Sequence, residues 1–454
     1  MKIYNTLTRQ IEELTPIKDN KLNLFVCGPT VYDDPHIGHA KTYIQFDLLA
    51  RYLRFLGYDL YYLQNITNID DKIIKRSREK SVEWHETARI FEEHYLRDMS
   101  ELNVSSVTQY ARATDFIADI IRQVQTLLDK GHAYVVEDGV YFETNTFADY
   151  GKLSGRVNVE ENDAESRIDT SEHKRNWNDF CLWKFSKQNE PVWKAPFGDG
   201  RPGWHIEDTA IAEHFFGPRY DMHGGAIDLI FPHHEDEIAQ MESASGKSPY
   251  VKYWLHTGFL NIDSKKMSKS VGNFFTIREI IAKGYDPMAI RLLIIQSHYR
   301  SSLEFSFDNL DAAATRLKRL RSIAELRHQP TPDGKSTALQ LDDGPLLTAL
   351  DNDLNTAQAL AVMEKTMERV EQNGVSKSQV DIFSVWLEKL DQIFGLNLLG
   401  STPDIDEKIK DTIFKRQAFR FNSEWDKADQ LRASLAEQGI GIRDSETGTI
   451  WYRL

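Results

Sequence analysis

The feature that most limits how this chain can fold lies near its start. Leu22 to Val26 is a short apolar run that stops at Cys27-Gly28-Pro29. It reads as a buried strand entering a turn. Residues 40 to 56 then carry Ile44, Leu48, Leu49, Tyr52 and Leu53 at helical spacing, and Tyr61 to Ile66 reads as the next strand. Strand, helix, strand is the opening of a parallel doubly wound sheet, in which ligands gather beyond the carboxyl ends of the strands. Pro35-His36-Ile37-Gly38-His39 falls at that end of the first strand and opens the helix.

The rest of the chain interrupts and extends this α/β pattern. Val135 to Phe142 looks like a hairpin built on Glu137-Asp138-Gly139, and Gly151 to Lys184 is polar and irregular, so an inserted subdomain is expected. The α/β pattern resumes near Asp228-Leu229-Ile230-Phe231, and beyond Arg300 the apolar spacing becomes helical. Stretches rich in Pro, Gly or Asp at Gln329 to Pro345 and Leu399 to Asp406 read as linkers. The expected organisation is residues 1–110 and 201–255 as two halves of a Rossmann-type domain, 111–200 as the insertion, 256–310 as a loop-bearing region around Lys266 to Ser270, 311–398 as a helical bundle, and 406–454 as a small module.

A length of 454 residues calls for more than one core. Cys27 and Cys181 exclude a disulfide framework and suit a reducing cytoplasm, where the protein is expected. No apolar run approaches a membrane span. A net charge of −14 argues against broad nonspecific nucleic-acid binding, though not against local basic patches such as Lys72 to Lys80 or Arg316 to Arg321. Either run, taken singly, also reads as a solvated helix face.

Four separated segments carry chemistry: Cys27, His36 to His39, Pro232 to Glu237, and Lys266-Met267-Ser268-Lys269-Ser270. A helix N-terminus offers unpaired N–H groups and partial positive charge to phosphates. Gly38 lets a nucleotide approach the backbone, and the imidazoles of His36 and His39 can donate to phosphate oxygens as charge builds. Two lysines on a loop can close on a triphosphate and neutralise leaving pyrophosphate. A lone thiol together with His233 and Glu237, four residues apart, suits a metal ion. In combination they describe the ATP-driven activation of a carboxylic acid beside a metal.

His-Ile-Gly-His at 36–39 and Lys-Met-Ser-Lys-Ser at 266–270 match, letter for letter, the two motifs of the class I aminoacyl-tRNA synthetases, which the chain resembles. Phe25-Val26-Cys27-Gly28-Pro29-Thr30-Val31-Tyr32, Asn65-Ile66-Thr67, Asp70-Asp71-Lys72-Ile73, Gly203-Trp204-His205-Ile206-Glu207, His223-Gly224-Gly225, Asp228-Leu229 and Phe231 to Gln240 narrow the resemblance to the cysteinyl-tRNA synthetases, across essentially the whole chain.

The resemblance implies a Rossmann catalytic domain, formation of an aminoacyl-adenylate from L-cysteine and ATP, and transfer to tRNA(Cys). It implies catalytic roles for His36, His39, Lys266 and Lys269, with Lys269 contacting ATP, and an adenylate pocket lined by Thr30, Thr42, Thr67, Trp204 and Asp228. Mg²⁺ is expected with ATP, and one Zn²⁺ held by Cys27, Asp208, His233 and Glu237. Zinc stabilises a thiolate and has less hold on the hydroxyl of serine, so selection rests on bond chemistry rather than pocket size. The family commonly has cysteine where this chain has Asp208; an aspartate preserves the ligand charge and makes the donor set harder. Cys181 is expected as a buried small residue. In the last module, which resembles an anticodon-binding domain, Trp451 is the candidate stacking platform and Asp444 the candidate base-edge acceptor. A monomer is expected. Two rival readings share many of these residues: a cysteine ligase acting on an aminosugar, of the mycothiol type, and a tRNA-binding regulator without synthetase activity. The C-terminal modules argue against the first, and the intact motifs against the second.

Overall fold

The first apolar run forms β1 (Lys21–Val26), and its last three residues are buried, as a strand covered on both faces requires. In the computed structural model, which describes residues 1–156, 171–262, 265–266, 274–332, 339–445 and 448–454, this strand lies at the centre of a five-stranded sheet. Its helix α1 (Ile37–Phe55) is followed by β2 (Asp59–Ile66) and, after two further helices, β3 (Gln109–Arg112). Later come α2 (Ile206–Phe216), β4 (Tyr220–Ala226), α3 (Glu235–Ser245) and β5 (Val251–Thr257).

The strand order is β5-β4-β1-β2-β3, and every pairing is parallel. Leu24 stands opposite Tyr62 on one side and Met222 on the other. The order reverses between β1 and β4, so the crevice beyond their carboxyl ends is the switch point of the doubly wound fold. Cys27 follows β1 there, and Asp228 follows β4. Phe25, Leu63, Tyr220, Ile238, Met241 and Trp254 pack around Cys27.

Between β3 and α2 the expected hairpin forms. Ala133–Val136 pairs with Gly139–Phe142, and Phe180–Phe185 and Gly200–Pro202 complete a four-stranded antiparallel sheet. The end of the stretch read as irregular is therefore a strand, whose apolar run Phe180-Cys181-Leu182-Trp183 is buried, with Cys181 inside it.

The chain divides into two compact units. The first comprises Met1–Pro287, Ser297–Ser306 and Asp351–Leu354; the second comprises Met288–Gln296, Phe307–Leu350 and Asn355–Leu454. The second unit is mostly helical, including Phe307–Ala324, Thr356–Asn373 and Val380–Phe394. It ends in two helices, Glu407–Phe421 and Trp425–Glu437, and a hairpin of Ile440–Ser445 with Gly448–Arg453. Within this unit Arg316 pairs with Glu364, and Arg319 with Glu368 and Glu371, so two arginines of one basic run are tied to a facing helix. Among the described residues, no helix is long and apolar enough to cross a membrane.

Candidate active site

His36 is the N-cap of α1, and the cap is reciprocal. The His39 backbone N–H donates to Nδ1 of His36 at 3.3 Å, and the His36 backbone N–H donates to Nδ1 of His39 at 3.4 Å. A ring nitrogen that accepts carries no proton. Each neutral imidazole therefore holds its proton on Nε2, which becomes that ring's donor. The rings stack at 3.7 Å. Burial lowers His39 to about 4, partly opposed by Asp228, so it is neutral at physiological pH.

His36, Gly38, His39 and Thr42 line a cavity of about 300 Å³ together with Cys27, Thr30 and Asp228. A neighbouring cavity of about 510 Å³ shares Thr30, His36, His39 and Asp228 and adds Trp204 and His205. Thr67, expected in the pocket, is buried and donates its hydroxyl to Glu207. The backbone of Lys266 pairs with Asn261 in a short antiparallel ladder; Lys269 lies outside the described residues.

Cys27, Asp208, His233 and Glu237 are all buried, and their donor atoms lie within 4.8 Å of one another. Nε2 of His233 is 3.0 Å from Oδ2 of Asp208 and 3.1 Å from Oε1 of Glu237. Although four residues apart, His233 and Glu237 do not lie on one regular helix. His233 belongs to an irregular turn, Ile230–His234, and α3 starts only at Glu235. Phe231, which precedes Pro232, has extended φ/ψ of −136° and 132° inside that turn, as a residue before proline prefers.

The surroundings aim these donors. Asn65 donates from Nδ2 to Asp208 and accepts at Oδ1 from the Gly28 N–H, linking the turn after β1 to α2. Gly28 has no substitute there, because a Cβ would fall 1.6 Å from the Asn65 carbonyl oxygen. Trp204 stacks on His233 at 4.3 Å. Nδ1 of His205 is 2.8 Å from Nδ1 of His233, and its Nε2 is 3.4 Å from Asp236. Such partners fix the orientation of a metal-ligating imidazole.

The electrostatics call for a cation. Burial, with Glu237 and Asp208 beside it, pushes the Cys27 thiol well above its ordinary value. Burial and Asp208 push Glu237 up in the same direction. Charge on Cys27 and on Glu237 is thus disfavoured away from water, and a divalent ion reverses that balance. One sulfur, one imidazole nitrogen and two carboxylates are a fitting donor set for a transition-metal ion. A second donor group, Cys27, His223, His234 and Glu237, overlaps the first. Sequence reasoning did not select His223 and His234 as ligands; the adjacent histidines at 233 and 234 and the glycines after His223 were the available signal.

In the C-terminal module Trp451 is 4% exposed and packs with Ile405, Ile413, Leu435, Ile440 and Ile442, so its ring is used in the core. Asp444 receives Arg416, at 2.8 Å from Nη2, and Arg420. The exposed aromatics are Phe414, Phe421 and Trp425, and the Arg420 guanidinium lies 5.7 Å from the Trp425 ring centre. Sequence reasoning missed these. The signal was the aromatic and basic alternation of Phe419-Arg420-Phe421, ahead of Trp425.

The model of the tRNA synthetases class I (C) catalytic domain matches residues 13–315, and that of the DALR domain matches residues 347–399. The chain is 42% identical over 462 residues to the cysteine–tRNA ligase of Caldicellulosiruptor saccharolyticus, covering 99% of each. It is 41% identical to that of Thermoplasma acidophilum, covering all of both. Its fold resembles that of Mycobacterium tuberculosis methionyl-tRNA synthetase in complex with methionyl-adenylate, with a TM-score of 0.58 at 17% identity, covering 83% of this chain and 88% of that one. On the matched domains and the full-length kinship, the chain belongs to the cysteine–tRNA ligase family of class I tRNA synthetases.

Proposed function

We propose that this chain joins L-cysteine to tRNA(Cys) in two steps within the first unit's crevice. The cysteine carboxylate attacks the α-phosphorus of Mg²⁺–ATP, giving cysteinyl-adenylate and pyrophosphate. The 2′-hydroxyl of the terminal adenosine of tRNA then attacks the acyl carbon and releases AMP. No side-chain nucleophile is required.

The Nε2–H groups of His36 and His39 donate to the α-phosphate oxygens as charge builds on them, and the N-terminus of α1 adds its dipole. Both rings are oriented by the main chain before substrate arrives, so little reorganisation is left for the transition state. Lys266 and Lys269 carry the countercharge for the leaving pyrophosphate. Zn²⁺ is the ion proposed for Cys27, Asp208, His233 and Glu237, and when bound it supplies a preference for a thiolate over a hydroxyl. Asn65 and Trp204 hold Asp208 and His233 toward it. At the tRNA end, Trp425 replaces Trp451 as the proposed stacking platform, with Arg420 and Asp444 beside it as edge partners.

What supports this reading most is the meeting of two chemistries at one crevice. Cys27 of the buried donor set lines the same cavity as His36 and His39. ATP–pyrophosphate exchange tests it. Exchange is expected with cysteine and not with serine, to be lost after prolonged chelation, and to return with Zn²⁺. Equal exchange with serine, or none with cysteine, removes the proposal. Charging of tRNA(Cys) by the same preparation separates tRNA ligation from ligation to an aminosugar.

A further inference from the structure

We propose that Arg278 is a positioning residue for the adenylate step: with Asp34, His94 and Asp98 it clamps the stretch that follows the lysine motif against the segment that carries His36. The proposal rests on the reaction proposed above and adds to it a residue that touches none of the reacting atoms.

The two segments meet along the main chain. Phe274 to Ile277 come shortly after Ser270, and Asp34 to Ile37 lead into α1. The Ile37 N–H donates to the Phe275 carbonyl at 3.1 Å, and the Ile277 N–H donates to the Pro35 carbonyl at 3.3 Å. His36 and Thr276 thereby form an antiparallel bridge. The rings of Phe274 and His36 meet at 73°, with centres 5.2 Å apart. One proposed phosphate donor is therefore backed by this stretch. Two main-chain hydrogen bonds contribute only about 1 kcal/mol each, so the contact depends on what else holds it.

Four side chains, base and acid in alternation, supply the rest. His94 and Asp98 stand one turn apart on the helix Trp84–Glu101 and share a face. Nδ1 of His94 is 2.6 Å from Oδ1 of Asp34. Nη1 of Arg278 lies 3.5 Å from that same oxygen, and Nε of Arg278 donates to Oδ1 of Asp98 at 2.9 Å. The two ends of this row differ in strength. Asp98 is fully buried, and parting a buried carboxylate from its cation is costly, whereas the Asp34 side chain is 34% exposed and its ion pair is weaker. Arg278 thus grips the helix through Asp98 and pulls Asp34, two residues before His36, onto the same face. Thr276 caps the helix Ile277–Ala282 in a reciprocal box with Glu279, which fixes the turn from which Arg278 projects. A planar guanidinium can serve two carboxylates with different nitrogens; an ammonium is a single point charge.

The test uses the full-length chain and two measurements, cysteine-dependent ATP–pyrophosphate exchange and deuterium uptake by main-chain amides. Arg278→Lys keeps a cation for Asp98 and loses the arm to Asp34. It is expected to lower kcat about tenfold to a hundredfold while KM for cysteine stays within about twofold. Uptake at the Ile37 amide is expected to quicken about tenfold, with β1 and β2 unaltered. Asp34→Asn is expected to slow exchange to a similar degree, and the double variant to be no slower than the slower single one, since both cut the same tie. A lysine variant that is natively folded by circular dichroism, yet has unaltered kcat or unaltered uptake at Ile37, overturns the proposal. Where that variant does not fold, Asp34→Asn, which leaves the Arg278–Asp98 pair in place, decides on the same two measurements. No exchange with cysteine in the unaltered chain overturns the proposed activity and the role that rests on it. Normal exchange there, with kcat unaltered in both variants, overturns this proposal alone.

Discussion

In the first unit, Cys27, Asp208, His233 and Glu237 are at most 5% exposed, while in the C-terminal module Phe421 is 91% and Trp425 56% exposed. One region puts its polar groups inside and the other puts its aromatic groups outside. Both are costly by ordinary folding rules, because buried acids lose hydration and exposed rings keep apolar surface in water. On the proposed function, the cost falls where each region has a ligand to meet. A small ion and a small substrate are gripped by surrounding them; a long polynucleotide is gripped from a surface. Within the module the contrast repeats between two tryptophans, Trp451 in the core and Trp425 at the surface.

The comparison is most sharply tested at the inner region. His39→Ala removes one donor from the adenylate step and is expected to lower the exchange rate about 10²- to 10³-fold, with tRNA affinity unchanged in a filter-binding assay. Equal losses in both assays would mean that the substitution damages the fold rather than the chemistry.

The two tryptophans give the next test. Trp425→Ala is expected to reduce kcat/KM for tRNA about tenfold, the loss of one stacked base, with exchange and thermal stability unaltered. Trp451→Ala is expected to destabilise the module by about 3 kcal/mol, read by urea unfolding. If Trp425→Ala left tRNA charging unaffected, the outer surface would have no role in recognition.

Acid gives the smallest effect per step. Burial keeps His256 down at about 3 and moves His205, His223 and His234 in the same direction. Unfolded, each takes a proton near its ordinary value of about 6.5. The native state therefore loses stability as pH falls below about 6.5, at about 1.4 kcal/mol per pH unit for each ring that stays neutral, and for His256 the loss ends near 3. The metal-free chain is expected to unfold at lower urea at about pH 5.5 than at about pH 7.5. Hydrogen exchange should locate the loss in the first unit rather than the C-terminal module. An unchanged midpoint would show that these rings are already protonated or exposed.

Much of the inner region was legible in the sequence because it is built from local patterns. The apolar run into Cys27, the helix periodicity after His39 and the hairpin about Glu137-Asp138-Gly139 each declare themselves within a few residues. The 37–55 helix and the parallel strand at 59–66 followed from them. What stayed hidden was pairing between distant segments. Nothing near Asn65 says that its amide links Gly28 to Asp208, and nothing near His223 says that it meets Cys27 across the sheet. Exposure was hidden for a related reason. Trp425 stands between Glu424 and Asp426 and Trp451 between Ile450 and Tyr452, a local hint only, and the packing of two helices on a hairpin is what covers Trp451.

The reciprocal cap at the start of α1 has one more consequence. The rings that begin the helix are the rings that face the cavity, and the main chain chooses which nitrogen bears the proton. If these rings are the phosphate donors of the proposed mechanism, acquiring the fold and arming the catalyst are one event, and a chain that has wound this first turn needs no later switch to set their protons.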